Sequence, residues 1–341
     1  MDPLRLGFSR PAPARAPMTD APLLTPRQIA IVRQVFGTDI RLDGDNVFIA
    51  GRRCPIRDGV IVLDGTVAEV DAEKAEVIRS FGEEWGSFPA MAPEHQREFD
   101  GYFDLVDVAG LEGKTVADLG CGMGRWSRIL LERTTPRFLV CADLSDAIFV
   151  ARRNLAEHPN VLFIKADLET LRFDGFRFDF AFSLGVLHHI PGGIAVALAQ
   201  IASYAESFLG YLYYALDNRG TVFAVLFRAA DLLRRALARI RTEPVRRAVS
   251  WLIALVLYKP FVLAADIAGA LGVDKDRMPL NAYCGNSLRR IQQDAYDRFF
   301  TTVEYRYTRS DITAHCTRHW HEVTFSDRQP YWHFLCRGPR R

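Results

Sequence analysis

"VADLGCGMGRWS", Val116 to Ser127, sets three glycines at alternate positions directly after a short apolar run. Glycine has no Cβ, so a loop of this kind lets a ligand lie against bare backbone. Its spacing restricts which ligand. A dinucleotide fingerprint needs G-x-G-x-x-G, and counting from Gly120 and Gly122 the third glycine would fall at Arg125. A Walker loop needs Gly-Lys-Ser/Thr, and none follows. Phosphate readings therefore fit poorly.

The surrounding periodicity is regular. "TVADLG", "RFLVCAD", "VLFIKAD", "FDFAFS" and "FLGYLYYAL" read as five buried strands. Between them run amphipathic helices from Arg125 to Arg133, from Ser145 (an N-cap residue) to about Glu157, and from Ile194 to Glu206. Apolar strands alternating with such helices predict a parallel sheet covered on both faces. The expected fold is a doubly wound α/β domain that binds its ligand at the carboxyl ends of the strands.

Those strand ends carry chemistry. Asp143 closes the second strand, Asp167 closes the third, and the fourth runs into "SLGVLHHIPGG". Together, "VADLGCGMGRWS", "CADLS", "KADLETLRF" and "FDFAFSLGVLHHI" resemble, in order, the motifs of class I S-adenosylmethionine-dependent methyltransferases. The resemblance covers roughly 113–216 plus the last fifty residues. It implies a mostly parallel, seven-stranded, Rossmann-like sheet and S-adenosyl-L-methionine as cofactor. It also implies methyl transfer by direct displacement to a small-molecule acceptor, which the sequence leaves open to an apolar or lipid-like compound.

The resemblance assigns cofactor roles residue by residue. Gly120, Gly122 and Gly124 would pass backbone close to the methionine part, and Asp118 would meet its amino end directly or through water. Asp143 would take the ribose hydroxyls, since an ionised carboxylate only accepts hydrogen bonds. Asp167 would accept from the adenine amino group, with Leu144 and Leu168 against the ring. Ser183 and Leu184 would set backbone against the methionine portion. Any one of these aspartates alone reads equally well as a helix cap or turn former; the four ordered motifs make the case.

Catalytic residues are harder to read. A sulfonium methyl group is already electrophilic, so the main task is to hold the nucleophile in line and exclude water. A base is needed only if the acceptor must lose a proton. His188 and His189 follow the fourth strand and are the candidates, as base or as packing elements. Pro191 is followed by Gly192 and Gly193, so no carboxylate stands there to orient an imidazole.

Flanking segments complete the division. Residues 1–22, rich in Pro, Ala and Arg, read as a disordered tail, with Met18 an alternative start. Residues 23–66 are turn-rich, with short strands at 47–49 and 60–63, and read as a small ribbon-like β segment. There, Pro55-Ile56-Arg57-Asp58-Gly59 resembles the end of the zinc-ribbon-like domain beside many methyltransferases. Cys54 is its only cysteine, and one thiolate cannot make a four-ligand zinc site, so no metal is expected. The "HCTRHWH" run, 315–321, straddles a helix and a strand, so its side chains need not converge.

Residues 67–112 read as a helical cap with an aromatic-rich connection. Those aromatics either cover the core edge or fold over the ligand. The α/β core at 113–216 is followed by a helical insertion, 217–290, for substrate recognition or as a lid, and 291–341 completes the core. Within the insertion a basic amphipathic stretch leads to an apolar run, Trp251 to Tyr258. Lys259-Pro260 reads as a stop there, with a second apolar helix to about Leu271. Core-capping helices, a lid over an apolar substrate, and a membrane-surface contact through 228–271 are the competing readings.

Composition narrows the class. The chain has 341 residues, 49% hydrophobic, with net charge +2, which gives no case for nucleic-acid binding. Six scattered cysteines without a CxxC pair fit a reducing compartment, and the cytoplasm is expected. No uninterrupted run of about 18 apolar residues occurs, so no transmembrane helix is expected. Two rival classes stand beside the methyltransferase: a nicotinamide-dependent α/β oxidoreductase, disfavoured by Arg125, and a non-catalytic methyltransferase-like interaction subunit. The sequence does not speak to oligomeric state.

Overall fold

The computed structural model describes residues 23–37, 39–63, 72–87, 94–173, 175–215, 230–240, 242–273, 278, 280–301, 304–327 and 332–340. The 1–22 tail, and 217–229 of the insertion, lie outside them.

Strands form where apolar runs can be buried on both sides. β5 (Thr115–Leu119), β6 (Phe138–Asp143), β7 (Val161–Lys165) and β8 (Phe180–Leu184) are buried along almost their whole length. With β9 (Ser207–Leu212), β10 (Trp320–Phe325) and β11 (Trp332–Pro339), they give the order β7-β6-β5-β8-β9-β11-β10. Pairing is parallel from β7 to β9, and β11 alone runs against its neighbours. This is the seven-stranded doubly wound sheet. The chain reverses direction across it between β5 and β8, where ligands of such sheets sit.

The sheet has cores on both faces. On one, α1 (Pro26–Phe36) and α6 (Ile194–Tyr204) contribute to a cluster with Val140, Leu162 and Ala181. On the other, α3 (Glu94–Tyr102), α4 (Arg125–Arg133) and α5 (Ala147–Asn154) cover Leu139, Cys141 and Phe182. Ser145 Oγ accepts from the Ala147 amide at 3.2 Å, at the mouth of α5.

Three differences from the sequence reading have physical causes. The 23–66 segment opens with a helix rather than strands. Thr25 Oγ1 accepts from the Gln28 amide, Gln28 Oε1 accepts from the Thr25 amide, and Pro26 takes the first helical position, a capping box. Gln28 Nε2 then donates to the Val161 carbonyl at 2.9 Å, which fastens α1 to the start of β7.

The ribbon, secondly, does not stand apart. β1 (Ile40–Asp43), β2 (Asn46–Ile49), β3 (Arg52–Arg57) and β4 (Val60–Val62) form a meander, and β4 pairs in parallel with β7. Among the described residues the sheet therefore has eleven strands.

Thirdly, Lys259-Pro260 does not end a helix. Glu243–Ala270 is one helix of 28 residues, long and apolar enough by length and composition to cross a membrane, which corrects the expected stop at Lys259-Pro260. One turn, Ala254–Tyr258, widens to π geometry just before the proline. That wider turn takes up the missing amide and the ring at Pro260 without a break. The expected boundary at 290 also falls inside a helix, Leu288–Phe300.

Thr25→Ala should cost about 1 kcal/mol of stability through loss of the cap. A lower denaturant midpoint with an unchanged slope would show it; an unchanged midpoint would mean the box contributes nothing.

Candidate active site

The turn after β5 begins the site. Gly120 has φ of +81°, and a Cβ built on it would lie 2.5 Å from Val186 Cγ1, so only glycine fits. The Gly122 amide donates to Asp143 Oδ2 at 2.8 Å, joining the end of β6 to this turn. Asp143 Oδ1 accepts from the Ser145 amide at 2.8 Å and from its hydroxyl at 2.7 Å. A carboxylate has about four acceptor positions, so three are in use and one, on Oδ2, is left. Burial pushes the Asp143 carboxyl above its ordinary value, against the pull of those hydrogen bonds and of Lys165.

A cavity of about 250 Å³ opens over these strand ends. The residues singled out from sequence fall into two sets around it. Gly120, Gly122, Asp143, Leu144, Asp167, Leu168, Leu184 and His189 line the cavity. Asp118, Gly124, Ser183 and His188 lie behind its wall.

Each of those four has a structural task in that position. Gly124, at φ of +81°, precedes α4 and faces Ala151 of α5 and Leu155 just after it. Ser183 donates to the Leu119 carbonyl at 2.7 Å, locking β8 to β5 at the switch point. Asp118 accepts from the Ser127 hydroxyl at 2.6 Å and is 2% exposed. Burial, only partly offset by that bond, pushes its carboxyl up to about 7.

His188 is fully buried and stacks on Tyr213, with ring centroids 4.0 Å apart. Neither of its ring nitrogens has a hydrogen-bond partner among the described residues. Burial, then the neighbouring His189 and Arg306, hold its pKa well below the usual histidine range. It stays uncharged. His189, one position on in the same tight turn, reaches the cavity and meets Phe81 edge-on at 4.9 Å.

Several lining residues escaped the sequence reading. Lys74 of α2 (Ala72–Ser87) bonds Asp167 Oδ2 at 2.5 Å and Glu169 Oε2 at 2.6 Å, bringing this helix over the ends of β6 and β7. Phe81 and Tyr102 line the cavity, whereas Phe99 and Phe103 stack in the core. Arg125, the residue that excluded a dinucleotide fingerprint, faces the cavity over the Trp126 ring.

The far wall comes from Leu288–Phe300. Arg290, Gln293, Asp294 and Asp297 recur at helical spacing and all line the cavity. Arg290 bonds both oxygens of Glu98, at 2.9 and 3.1 Å, and also Asp294. Tyr213 donates its phenol to Asp297 at 2.8 Å. The opposite face, Ile291, Ala295, Tyr296 and Phe299, packs in a third core against the long helix. No group of three or more His, Cys, Asp or Glu among the described residues is arranged to hold a metal ion.

Residues 116–206 match a family model described as a methyltransferase domain. They include β5 from Val116 onward, β6 to β8, the glycine turn and the His-His turn. The turn after β5 lies within the matched residues, and Leu288–Phe300 lies outside them. A curated relative, malonyl-[acyl-carrier protein] O-methyltransferase of Halalkalibacterium halodurans, is 36% identical over 61 residues. That is 18% of this chain and 22% of the relative. The magnesium protoporphyrin IX methyltransferase of Synechocystis PCC 6803, with bound SAM, is 14% identical. It matches at a TM-score of 0.44 over 80% of this chain and 99% of that one. Phosphoethanolamine N-methyltransferase 1 of Haemonchus contortus, with phosphoethanolamine and S-adenosylhomocysteine, is 16% identical. It matches at 0.36 over 44% of this chain and 35% of that one. Likenesses of this size leave the acceptor undetermined.

Asp118 makes a pH prediction. Its folded carboxyl keeps a proton up to about pH 7, against an ordinary value of 3.8. The folded state therefore binds more protons across that interval, and this group's contribution to stability falls as pH rises through it. Asp118→Asn should remove that fall, gaining on wild type in melting temperature from pH 5 to pH 8. Taking the difference from wild type cancels the opposite contribution of His188. Parallel melting curves for the two proteins would refute the assignment.

Proposed function

We propose that the chain is an S-adenosyl-L-methionine-dependent methyltransferase acting on a small, partly apolar acceptor by direct displacement. The observation that carries the reading is the cluster at the ends of β5, β6 and β7. Open glycine backbone, an acceptor-only carboxylate at Asp143, and apolar side chains at Leu144 and Leu168 line one side of one cavity.

The donor set fits the cofactor. Asp143 has one acceptor position left for a ribose hydroxyl, and a second becomes available when the Ser145 hydroxyl turns away from Oδ1. Leu144 and Leu168 offer apolar surface to the adenine, beside Asp167. Lys74 ties Asp167 down, so that residue positions the α2 helix as well as accepting from the base. Arg125 supplies a cation for the methionine carboxylate. Asp118 acts through the turn rather than by contact: it holds Ser127 of α4 and so fixes the glycine segment between them.

When bound, the cofactor supplies an electrophilic methyl group. Tyr102, Trp126 and Tyr211 present ring surface that excludes water from the reacting atoms, and Arg290 with Glu98 and Asp294 gives the acceptor side a polar end. His189 is the candidate to hold or remove an acceptor proton, because it reaches the cavity. His188 sets the stacking that orients the turn. Such a lining suits an acceptor with an apolar body and one polar group.

Asp143→Ala removes a charged hydrogen-bond acceptor, about 1.5–3 kcal/mol, and should weaken cofactor binding on the order of ten- to a hundred-fold without unfolding the protein. Titration calorimetry with S-adenosylmethionine, S-adenosylhomocysteine and NAD reads both the variant and the class. Tight NAD binding with no response to S-adenosylmethionine would replace this reading with the oxidoreductase one.

A second comparison separates the histidines. His189→Asn should lower kcat more than it alters cofactor affinity, whereas His188→Phe should chiefly lower the melting temperature. Equal kcat losses in both, at unchanged melting temperature, would place His188 in the chemistry.

A further inference from the structure

The helix Glu243–Ala270 is apolar through most of its length, yet only 28% of its most apolar 18-residue window is buried. A core helix of this composition would be enclosed. Here Trp251, Leu252, Leu255, Val256, Leu263 and Ile267 are between 39% and 64% exposed. Contiguous apolar surface of this extent marks an interaction site.

The other side of the helix is committed. Ile253, Ala254, Tyr258 and Val262 pack against Ile291, Tyr296 and Phe299 of the helix whose polar face lines the cavity. Spanning a bilayer would pull this third core apart. Lying along a surface would leave it intact and cover only the outward stripe.

Charge names the surface. Between 228 and 247 the chain carries seven arginines and two acidic residues. Arg235, Arg239 and Arg247 of this stretch are exposed. Trp251, at the junction of the basic and apolar parts, is the amphipathic ring that favours a headgroup boundary.

We propose that the outward face of Glu243–Ala270, with the arginines that precede it, docks this protein in the plane of a membrane surface bearing anionic phospholipids. Basic side chains meet the headgroups and the apolar stripe enters the acyl boundary. The protein is then a cytoplasmic one held at a membrane. The helix Leu288–Phe300 packs on the inner side of the docked helix and lines the cavity with its other face. An apolar acceptor would be drawn from the bilayer along it, a consequence that rests on the methyltransferase reading, whereas docking does not.

Flotation of the full chain with vesicles tests docking separately from cofactor binding. The protein should float with mixed phosphatidylglycerol and phosphatidylcholine vesicles at least ten-fold more than with phosphatidylcholine alone. The triple variant Leu252→Glu, Val256→Glu, Leu263→Glu should lose that binding at least ten-fold, with unchanged melting temperature and S-adenosylhomocysteine affinity. If the triple variant does not fold, Val256→Glu alone, at the most exposed of the six positions, should still reduce flotation. Arg235→Ala, Arg239→Ala and Arg247→Ala together should lower binding to the anionic vesicles and leave the neutral ones unchanged. Wild type that stays in solution with both vesicle types overturns the proposal. So does a stable dimer, indifferent to vesicles, that the triple variant dissociates, since the face would then join two copies of the chain.

Discussion

At Gly120 the backbone passes so close to Val186 that no side chain fits, and the rest of the site depends on that approach. The contact brings the turn after β5 against the turn after β8, across the point where the sheet reverses its winding. Gly122 is thereby placed to donate to Asp143, and the ends of three strands become one surface. Ser183 repeats the fastening one layer below, through the Leu119 carbonyl. The cavity floor is rigid because it is made of strand ends that constrain one another.

The walls are built on a different principle. α2, α3 and Leu288–Phe300 come from segments outside the glycine-turn core, and each reaches the cavity through a polar tie. Lys74 meets Asp167, Glu98 meets Arg290, and Asp297 meets Tyr213. The first two are largely buried ion pairs, which contribute little net stability because desolvation offsets their attraction, but they fix how one element sits against another.

That division also explains what could be read from the sequence. Strand ends with glycines and aspartates have local signatures, so β5 to β9, their helices and the strand-end side of the cavity were legible. Leu288–Phe300 was not, because Arg290, Asp294 and Asp297 form a charged stripe at helical spacing, which ordinarily marks a solvated face. Nothing local distinguishes water from a cavity. The pairing of β4 with β7 was hidden for another reason: its partner lies a hundred residues away. Thr25-Pro26-Arg27-Gln28 did carry a readable cap for α1, overlooked among turn residues. Lys259-Pro260 looked like a stop because the compensating π turn has no clear sequence mark.

The meander β1 to β4 has a bearing on solubility. Without it β7 would be the outer strand of the sheet, and Val161 to Ile164 would offer unpaired backbone flanked by apolar side chains, a template on which a second chain could add a strand. The meander moves that border outward to β1, where Arg41, Leu42 and Asp43 are exposed and the two charges lie 3.9 Å apart. At the opposite border, β10 presents His321 and Glu322 to solvent. An eleven-stranded sheet thus ends on both sides in strands poorly suited to further growth, and the segment that resembled a degenerate metal ribbon serves as a guard against edge-to-edge aggregation.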